Sequence, residues 1–205
     1  MSRSSPLQNR VTPDGAIIAI PERGQLMGNR GGRLHTQSQE LTRARWRSKS
    51  WITCQLRFKG RQRQVMGNGY TELFFFDEAT ALAAGHRPCF ECRRDAANAF
   101  ATHWNAVKNR PGRARAAEMD TVLHRERQCD NELVQLYTLP HGSMFDHLGN
   151  IYLKHHTQVL LWTWQGYTAA TLPHETMIRP LTPPSMRAVL MDGYTPIVHS
   201  SIASI

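Results

Sequence analysis

The sequence predicts an α+β fold, in which a mostly antiparallel sheet packs against a few helices. Short apolar runs separated by turn signals dominate the first and last thirds of the chain, as is typical of strands. Helical apolar spacing appears only after Phe76. With 205 residues, 40% of them hydrophobic, the chain is long enough for a core, so we expect a single domain over residues 1–205.

The first third begins with a segment that we predict to be a flexible arm, residues 1–13. Asp14-Gly15 then precedes a short apolar strand, residues 16–20. Residues 24–33 are rich in glycine but lack the Gly-Lys-Ser/Thr ending of a phosphate-binding P-loop. We expect an irregular loop whose glycines supply positive φ, although its two arginines could also approach a phosphate. The strand and this loop together make up an N-terminal part, residues 14–42.

Alternating residues predict the next strand, residues 51–58, with one apolar face formed by Ile52, Cys54, Leu56 and Phe58. Lys59-Gly60 is a plausible turn into a second strand, residues 62–66. These strands open a central unit, residues 43–107.

Positive charge is concentrated around those strands. Residues 1–63 carry 13 basic and 3 acidic residues, whereas residues 64–205 carry 12 and 13. Eight basic residues form two runs of four, each with a basic residue at every second position, and no acidic residue lies between Arg43 and Arg63: Arg43, Arg45, Arg47 and Lys49, then Arg57, Lys59, Arg61 and Arg63. This pattern predicts a basic β-ribbon along a phosphate backbone, with strongly salt-dependent binding. The alternative is a solvated face that serves solubility alone.

Helices are predicted in the middle of the chain. Residues 72–76 form an apolar strand, and Asp77 can cap a short helix over residues 78–84 that Gly85 ends. Two further helices are expected over residues 91–107 and 118–127, joined by a loop that contains Pro111 and Gly112.

The last part, residues 118–205, is rich in predicted strands. We expect strands over residues 133–139, 151–154, 159–164 and 196–199, with turns at 146–150 and 155–158. Residues 184–191 read as a helix with proline at its start. Ten histidines are present, and those between 141 and 174 have no assigned role. A metal-dependent nuclease centre at His141, Asp146 and His147 matches no spacing that we can defend.

The pair Cys89-x-x-Cys92 is the most specific chemical signal. Two cysteines at this spacing can hold one metal ion at the start of a helix, where backbone N–H groups also favour thiolates. Three arginines surround the pair and are expected to add positive charge: Arg87, Arg93 and Arg94. The alternatives are a reduced thiol pair or the remnant of an ancestral site.

Residues 73–92 resemble the second half of the Ada-type zinc-binding domain, found in bacterial proteins that repair DNA methyl phosphotriesters. The shared pattern is an aromatic strand, a short helix ending Ala-Leu-Ala-Ala-Gly, and aromatic-Arg-Pro-Cys-x-x-Cys, with His86 at the aromatic position here. The resemblance implies zinc and DNA. The family has two more zinc cysteines upstream, spaced Cys-x-x-x-Cys, one of which accepts the methyl group. This chain has Cys54 and then Phe58, so methyl-acceptor activity is not expected.

Three metal ligands are therefore predicted, namely Cys54, Cys89 and Cys92, and zinc is the expected ion. Cys54 could instead be a small apolar residue on its strand. The candidates for a fourth ligand are His35, His86, His103 and Cys129. Deaminase chemistry is excluded, because no histidine or cysteine upstream is followed at the second position by glutamate.

The first functional hypothesis is a zinc-stabilised nucleic-acid-binding protein, with DNA favoured as partner, in DNA repair or processing. The alternatives are an enzyme acting on nucleic acid or on a phosphorylated small molecule, and a basic assembly protein that binds an acidic partner. Trp162, Trp164 and Tyr167 are core residues or a platform for stacking bases. No run approaches the ~20 apolar residues of a membrane span, and no signal-peptide stretch is present, so we expect a cytoplasmic protein.

Overall fold

Two sheets and four helices form the fold in the computed structural model, which describes residues 5–129 and 132–205. All but two of the strand pairings in these residues are antiparallel. The predicted α+β class and the antiparallel character of the sheets are therefore confirmed.

The first sheet comes from the N-terminal half. Its six strands are β1 (Gln8–Val11), β2 (Ile17–Ala19), β3 (Leu26–Asn29), β4 (Ile52–Cys54), β5 (Leu73–Phe75) and β6 (Arg87–Pro88). They are ordered β2-β1-β5-β3-β4-β6, and the pairs β1–β5 and β4–β6 are parallel. The parallel pair β4–β6 at one edge is the part of this sheet that builds the candidate site.

A short helix, α1 (Glu78–Ala83), lies in the middle of the molecule, and all six of its residues are buried. Asp77 caps it as predicted, because its carboxylate accepts the N–H of Thr80 at 2.8 Å. The small side chains of α1 let it contact two apolar clusters: Ala81 packs with the first sheet, and Ala79 and Ala83 pack with the second. Gly85 ends the helix with φ of +79°, also as predicted.

Three longer helices pack on one another: α2 (Arg94–Ala106), α3 (Ala116–Glu126) and α4 (Pro184–Met191). Their shared core includes Phe100, Trp104, Met119, Leu123 and Val189. The predicted helices are confirmed, with α2 starting three residues later than expected. None of the helices in the described residues has the length and apolar composition needed to cross a bilayer.

The second sheet is antiparallel throughout and lies in the C-terminal half. Its strands are β7 (Val134–Gln135), β8 (Met144–His147), β9 (Asn150–His155), β10 (Gln158–Thr163), β11 (Gly166–Ala170) and β12 (Met177–Pro180), in the order β11-β10-β9-β8-β12-β7. The predicted turn at 155–158 is present around His156, whereas the turn at 146–150 is shorter, because β8 continues to His147. β8, β11 and β12 were not predicted.

Two predictions for the N-terminal part are wrong. The expected arm contains β1, whose Val11 is fully buried between β2 and β5, while residues 1–4 of that arm lie outside the described residues. The expected Gly-rich loop contains the central strand β3. Within β3, Gly28 is needed for close approach, because a Cβ there would lie 2.2 Å from the Ile52 carbonyl oxygen. After the strand, Gly31 has the expected positive φ, +84°.

The predicted basic β-ribbon is also wrong in its secondary structure. The strand expected over residues 51–58 ends at Cys54, Leu56 is half exposed, and residues 62–66 contain no strand. Residues 43–49 are likewise irregular. The turn at Lys59-Gly60 is present, with φ of 51° and 65°, but positive φ at Met66 further breaks the extended course of the chain. Residues 55–66 therefore form a loop.

Residues 196–199, near the C-terminus, do not form the predicted strand. The N–H of Ile197 donates to the Glu78 carboxylate at 3.0 Å, and the N–H of His199 donates to the Asp77 carboxylate at 3.1 Å. These carboxylates at the start of α1 take the place of a partner strand. The predicted strand over 133–139 is reduced to β7, followed by a single 3₁₀ turn, Leu136–Thr138.

Candidate metal centre

The pairing of β4 with β6 brings Cys54 and Cys89 together. The two strands run parallel, with Ile52 opposite Arg87 and Thr53 opposite Pro88. Cys54 and Cys89 are the next residues of each strand, so they take neighbouring positions. The N–H of Cys89 donates to the Thr53 carbonyl at 2.9 Å and extends this pairing to the cysteine itself.

Cys92 reaches the same place through the turn before α2. The N–H of Arg93 donates to the Cys89 carbonyl at 3.0 Å, which closes the turn. The N–H of Glu91 points at the Cys89 sulfur, with a distance of 3.4 Å from N to Sγ. The turn thus faces both cysteines toward Cys54.

The three Sγ atoms all lie within 4.8 Å of one another. Cys54 is 8% exposed and Cys89 is 7% exposed, while Cys92 is partly exposed. The three predicted ligands therefore form one group that could hold a metal ion. The apolar alternative for Cys54 does not account for its position beside two other thiols.

Cys89 is the most acidic thiol of the group. A hydrogen bond from the Cys54 thiol, with those from the N–H groups of Cys92 and Glu91, lowers the pKa of Cys89 to about 5 against the effect of burial. Sharing that proton with Cys89, together with burial, raises the pKa of Cys54. Burial also raises the pKa of Cys92. In the metal-free chain, one thiolate is thus held by its two neighbours.

Two buried ion pairs hold the cysteine turn in place. Arg93 pairs with Glu78 of α1 at 2.7 Å and also donates to the Thr53 hydroxyl at 3.1 Å. Arg87 forms two hydrogen bonds of 2.8 Å to the Asp120 carboxylate on α3. The expectation that these arginines add free positive charge around the cysteines is therefore wrong for both, because a carboxylate neutralises each one.

None of the four candidates for a fourth ligand joins the cysteines. His35 bonds to the Thr71 hydroxyl at 2.6 Å, and His103 pairs with Asp192 at 2.8 Å. His86 is fully buried between the rings of Trp51 and Phe75, so it fills the place of an aromatic side chain. Cys129 is exposed and lines a different cavity. No fourth His, Cys, Asp or Glu completes the group among residues 5–129 and 132–205.

All three cysteines line a cavity of about 290 Å³. Its wall contains apolar side chains from β3, β4 and β5 and several polar groups, namely Arg61, Arg63, Tyr70, Glu72 and Glu91. A metal ion bound to three cysteines has one more coordination position. The cavity provides space for a water molecule or a ligand group there.

Two of the four basic residues of the loop 55–66, Arg61 and Arg63, border this cavity. All four are exposed, namely Arg57, Lys59, Arg61 and Arg63. Arg61 pairs with Glu91 at 2.6 Å, and Arg63 bonds to the Tyr70 hydroxyl. Since Glu91 lies between the two cysteines of the turn, this exposed ion pair places the loop beside the cysteine group.

The other basic run lies elsewhere. Its four members are also exposed: Arg43, Arg45, Arg47 and Lys49. The Arg47 side chain donates to the Arg33 carbonyl at 2.8 Å, and Arg45 lines a second cavity, which the cysteines do not border. The eight basic residues predicted to contact phosphates are thus all exposed, but they do not lie on a common strand.

Three histidines that the sequence left without a role form a cluster on the second sheet. The rings of His141 and His156 stack at 4.0 Å, and His155 lies 5.0 Å from His141. Burial and the two neighbouring imidazoles lower the pKa of His141 to about 4. Asp146 pairs instead with Arg179 at 3.5 Å, so the His141–Asp146–His147 centre is not formed.

The aromatic residues of the second sheet belong to the core. The rings of Trp162, Trp164 and Tyr167 surround Phe76 at 5.6 to 6.2 Å. Tyr167 donates its hydroxyl to the buried Asp77 carboxylate at 2.7 Å. The prediction that these residues serve the core is confirmed for Trp162 and Tyr167, which are both buried.

Comparison of the chain with known protein families, with curated proteins and with solved structures finds no match. The resemblance of residues 73–92 to the Ada-type domain therefore remains a prediction.

Proposed function

We propose that the chain is a zinc-stabilised nucleic-acid-binding protein, with DNA as the favoured partner. Cys54, Cys89 and Cys92 would hold the ion, and the exposed basic loop 55–66 would contact phosphates beside it. One observation carries the proposal: three thiol sulfurs lie within 4.8 Å of one another, next to a basic loop whose Arg61 contacts Glu91 of their turn.

The donor set fits zinc. Thiolates are soft ligands that favour zinc over magnesium or calcium. With a Zn–S distance of about 2.3 Å, three sulfurs of a tetrahedral site lie about 3.8 Å apart, so the present group needs only small side-chain adjustments. A thiol ligand must be deprotonated, and Cys89 has the lowered pKa that this requires, whereas zinc must displace the protons of Cys54 and Cys92, whose pKa values are raised. Bound zinc would stabilise the contact between the end of β4 and the turn before α2.

The basic surface supports a polyanionic partner. The chain carries a formal net charge of +9, and all eight alternating basic residues are exposed. Six of the eight are arginines, whose planar guanidinium groups match phosphate oxygens. Because they lie on irregular loops, we expect contacts with the phosphate backbone rather than base readout by a regular element.

The test is a salt titration of DNA binding to the zinc-loaded chain. The variant Arg57→Gln/Arg63→Gln should weaken binding to all sequences alike and lower the slope of log K against log salt by about 1.8, since each phosphate contact contributes about 0.9. The control, Arg110→Gln/Arg125→Gln, removes the same charge from exposed arginines in the helical part. An unchanged slope in the first variant, or equal losses in both, would contradict the proposal.

A second candidate function is an enzyme acting on nucleic acid or a phosphorylated small molecule. The cavity beside the three cysteines favours it, because Tyr70, Glu72 and Glu91 line its wall and a cysteine-bound ion would keep a position open toward it. Zinc-dependent turnover of a phosphate ester that is lost in Glu72→Gln, with DNA binding retained, would support this function. If the chain purifies without nucleic acid and binds none, the result would favour the remaining alternative, a basic assembly protein that binds an acidic partner.

A further inference from the structure

A second cavity, of about 460 Å³, lies between the first sheet, α3 and the segment after β12. Four arginines line it, namely Arg30, Arg45, Arg127 and Arg179. It shares no lining residue with the cavity beside the cysteines. Its volume falls within the roughly 300–1,000 Å³ typical of small-molecule sites.

Arg30 is the most unusual of these residues, because it is only 2% exposed and has no carboxylate partner among the ion pairs of the described residues. Its Nη2 donates to the Gly15 carbonyl at 2.9 Å, and its Nε donates to His86 at 3.2 Å. The guanidinium lies 4.0 Å from the centre of the Trp51 ring. These neutral partners orient the charge but do not neutralise it, and a buried charge of this kind normally has a counter-ion.

Arg127 adds a second charge at the same place. Its guanidinium also lies over Trp51, at 4.4 Å, and donates to the carbonyls of Gly85 and Lys49. Its buried Nη2 has no hydrogen-bond partner within residues 5–129 and 132–205. Burial, followed by repulsion from Arg127 and Arg45, lowers the pKa of Arg30 to about 9, so the residue stays charged at neutral pH. The cavity wall is thus net positive, with four arginines against two carboxylates, and it has one donor that lacks a partner in the described part of the chain.

The two carboxylates at the cavity, Glu126 and Asp14, keep their charge, and both accept hydrogen bonds from neutral groups. Glu126 accepts the N–H and the hydroxyl of Ser185, at 3.1 and 2.5 Å. Asp14 accepts the hydroxyl of Thr12 and the N–H of Ala16. Arg179 is the one cavity arginine with an ion pair in the described residues, to Asp146. Asp120 and Glu126 partly offset the charge of Arg127, but Arg30, Arg45 and Arg127 form no ion pair in the described residues, so their donors remain available to an anion from solution.

We propose that this cavity binds the phosphate group of a phosphorylated ligand, with Arg30, Arg45 and Arg127 as its contacts. Arginine forks bind phosphate oxygens in pairs, and the partnerless donor of Arg127 is the kind of group that such an oxygen satisfies. The site is independent of the metal centre and goes beyond nucleic-acid binding by the loop 55–66. A free nucleotide and the terminal phosphate of a nucleic acid both present this group.

The experiment measures ligand binding by calorimetry and thermal unfolding, at constant ionic strength. The ligands are inorganic phosphate, a nucleoside monophosphate, and one oligonucleotide with and without a 5′-phosphate. Phosphate should raise the melting temperature above its value in chloride, because a ligand that binds only the folded chain stabilises it. A preference for the nucleotide identifies a free ligand, and a preference for the 5′-phosphorylated oligonucleotide identifies a nucleic-acid end.

The decisive variant is Arg45→Gln, since Arg45 is exposed and its substitution leaves the core intact. Phosphate affinity should fall about tenfold or more, as expected for one hydrogen bond between charged groups. The control Arg125→Gln, an exposed arginine of α3 outside the cavity, should bind as the unaltered chain does. Arg30→Met, if folded by circular dichroism, should abolish binding.

Equal phosphate affinity in the unaltered chain and in Arg45→Gln would overturn the proposal, as would equal stability in phosphate and chloride. Either result combined with salt-dependent DNA binding would refute this site and leave the proposed function standing. Conversely, phosphate binding that depends on Arg45, in a chain that holds no zinc, would support the cavity and refute the proposed function.

Discussion

The substitution Glu78→Gln tests how the cysteine turn is held. The Glu78 and Arg93 side chains are 1% and 4% exposed and pair at 2.7 Å. Glu78 also accepts the Tyr194 hydroxyl at 2.6 Å and the N–H of Ile197 at 3.0 Å. Glutamine has nearly the same shape but no charge, and it places an NH₂ against one of these three donors. Arg93 is then left as a buried charge without its counter-ion.

Removing one partner of a buried ion pair costs about 3–5 kcal/mol, and we expect a loss of this size in the free energy of unfolding measured in urea. The control is Glu118→Gln, because Glu118 is 38% exposed and pairs with the exposed Arg110. Its loss should be about 0–1 kcal/mol. The double variant Glu78→Gln/Arg93→Met should recover stability, since no unpaired charge remains. A loss below about 1 kcal/mol in Glu78→Gln would refute the role given to this pair.

Two further predictions concern the sheets. Gly28→Ala should destabilise the chain by about 1–3 kcal/mol, because the new Cβ would meet the Ile52 carbonyl. The control Gly69→Ala, which has open space around it, should leave the free energy of unfolding nearly unchanged. Urea unfolding compares the two variants, and equal effects would contradict the close packing at Gly28. His141 has a pKa lowered to about 4, mainly by burial, whereas an unfolded histidine titrates near 6.5. The unfolded chain therefore binds more protons between these values, and the stability that His141 contributes is present above about pH 6.5 and is lost as the pH falls toward 4. His141→Gln should flatten the stability profile in this window, and an unchanged slope would argue against the buried neutral ring.

The helices and the cysteine group were predictable because local signals define them. Asp77 and Gly85 bound α1 by capping preferences that act within one turn, and a proline marks the start of α4. The Cys-x-x-Cys spacing joins two ligands within a single turn. Cys54 was predicted as a ligand through the resemblance alone, because its place in an apolar alternation indicated a small apolar residue instead.

The order of the first sheet was not predictable, because distant partners impose it. β1 has the polar sequence Gln-Asn-Arg-Val and becomes a strand only between β2 and β5. Strict alternation of arginine suggested a ribbon, yet charged residues alternate equally well on an exposed loop, where no neighbouring strand selects the extended form. The ion pairs of Arg87 and Arg93 join residues far apart in the sequence, which is why their charge was misjudged.

The ion content of the purified chain tests the central claim most directly. Elemental analysis should find one zinc per chain in the unaltered protein and in Cys129→Ser, whose thiol is exposed and apart from the group. The same measurement should find essentially none in Cys89→Ser, because two sulfurs no longer make a stable site. A folded, unaltered chain without zinc after purification in zinc-containing medium, or zinc retained in full by Cys89→Ser, would contradict a metal centre at Cys54, Cys89 and Cys92.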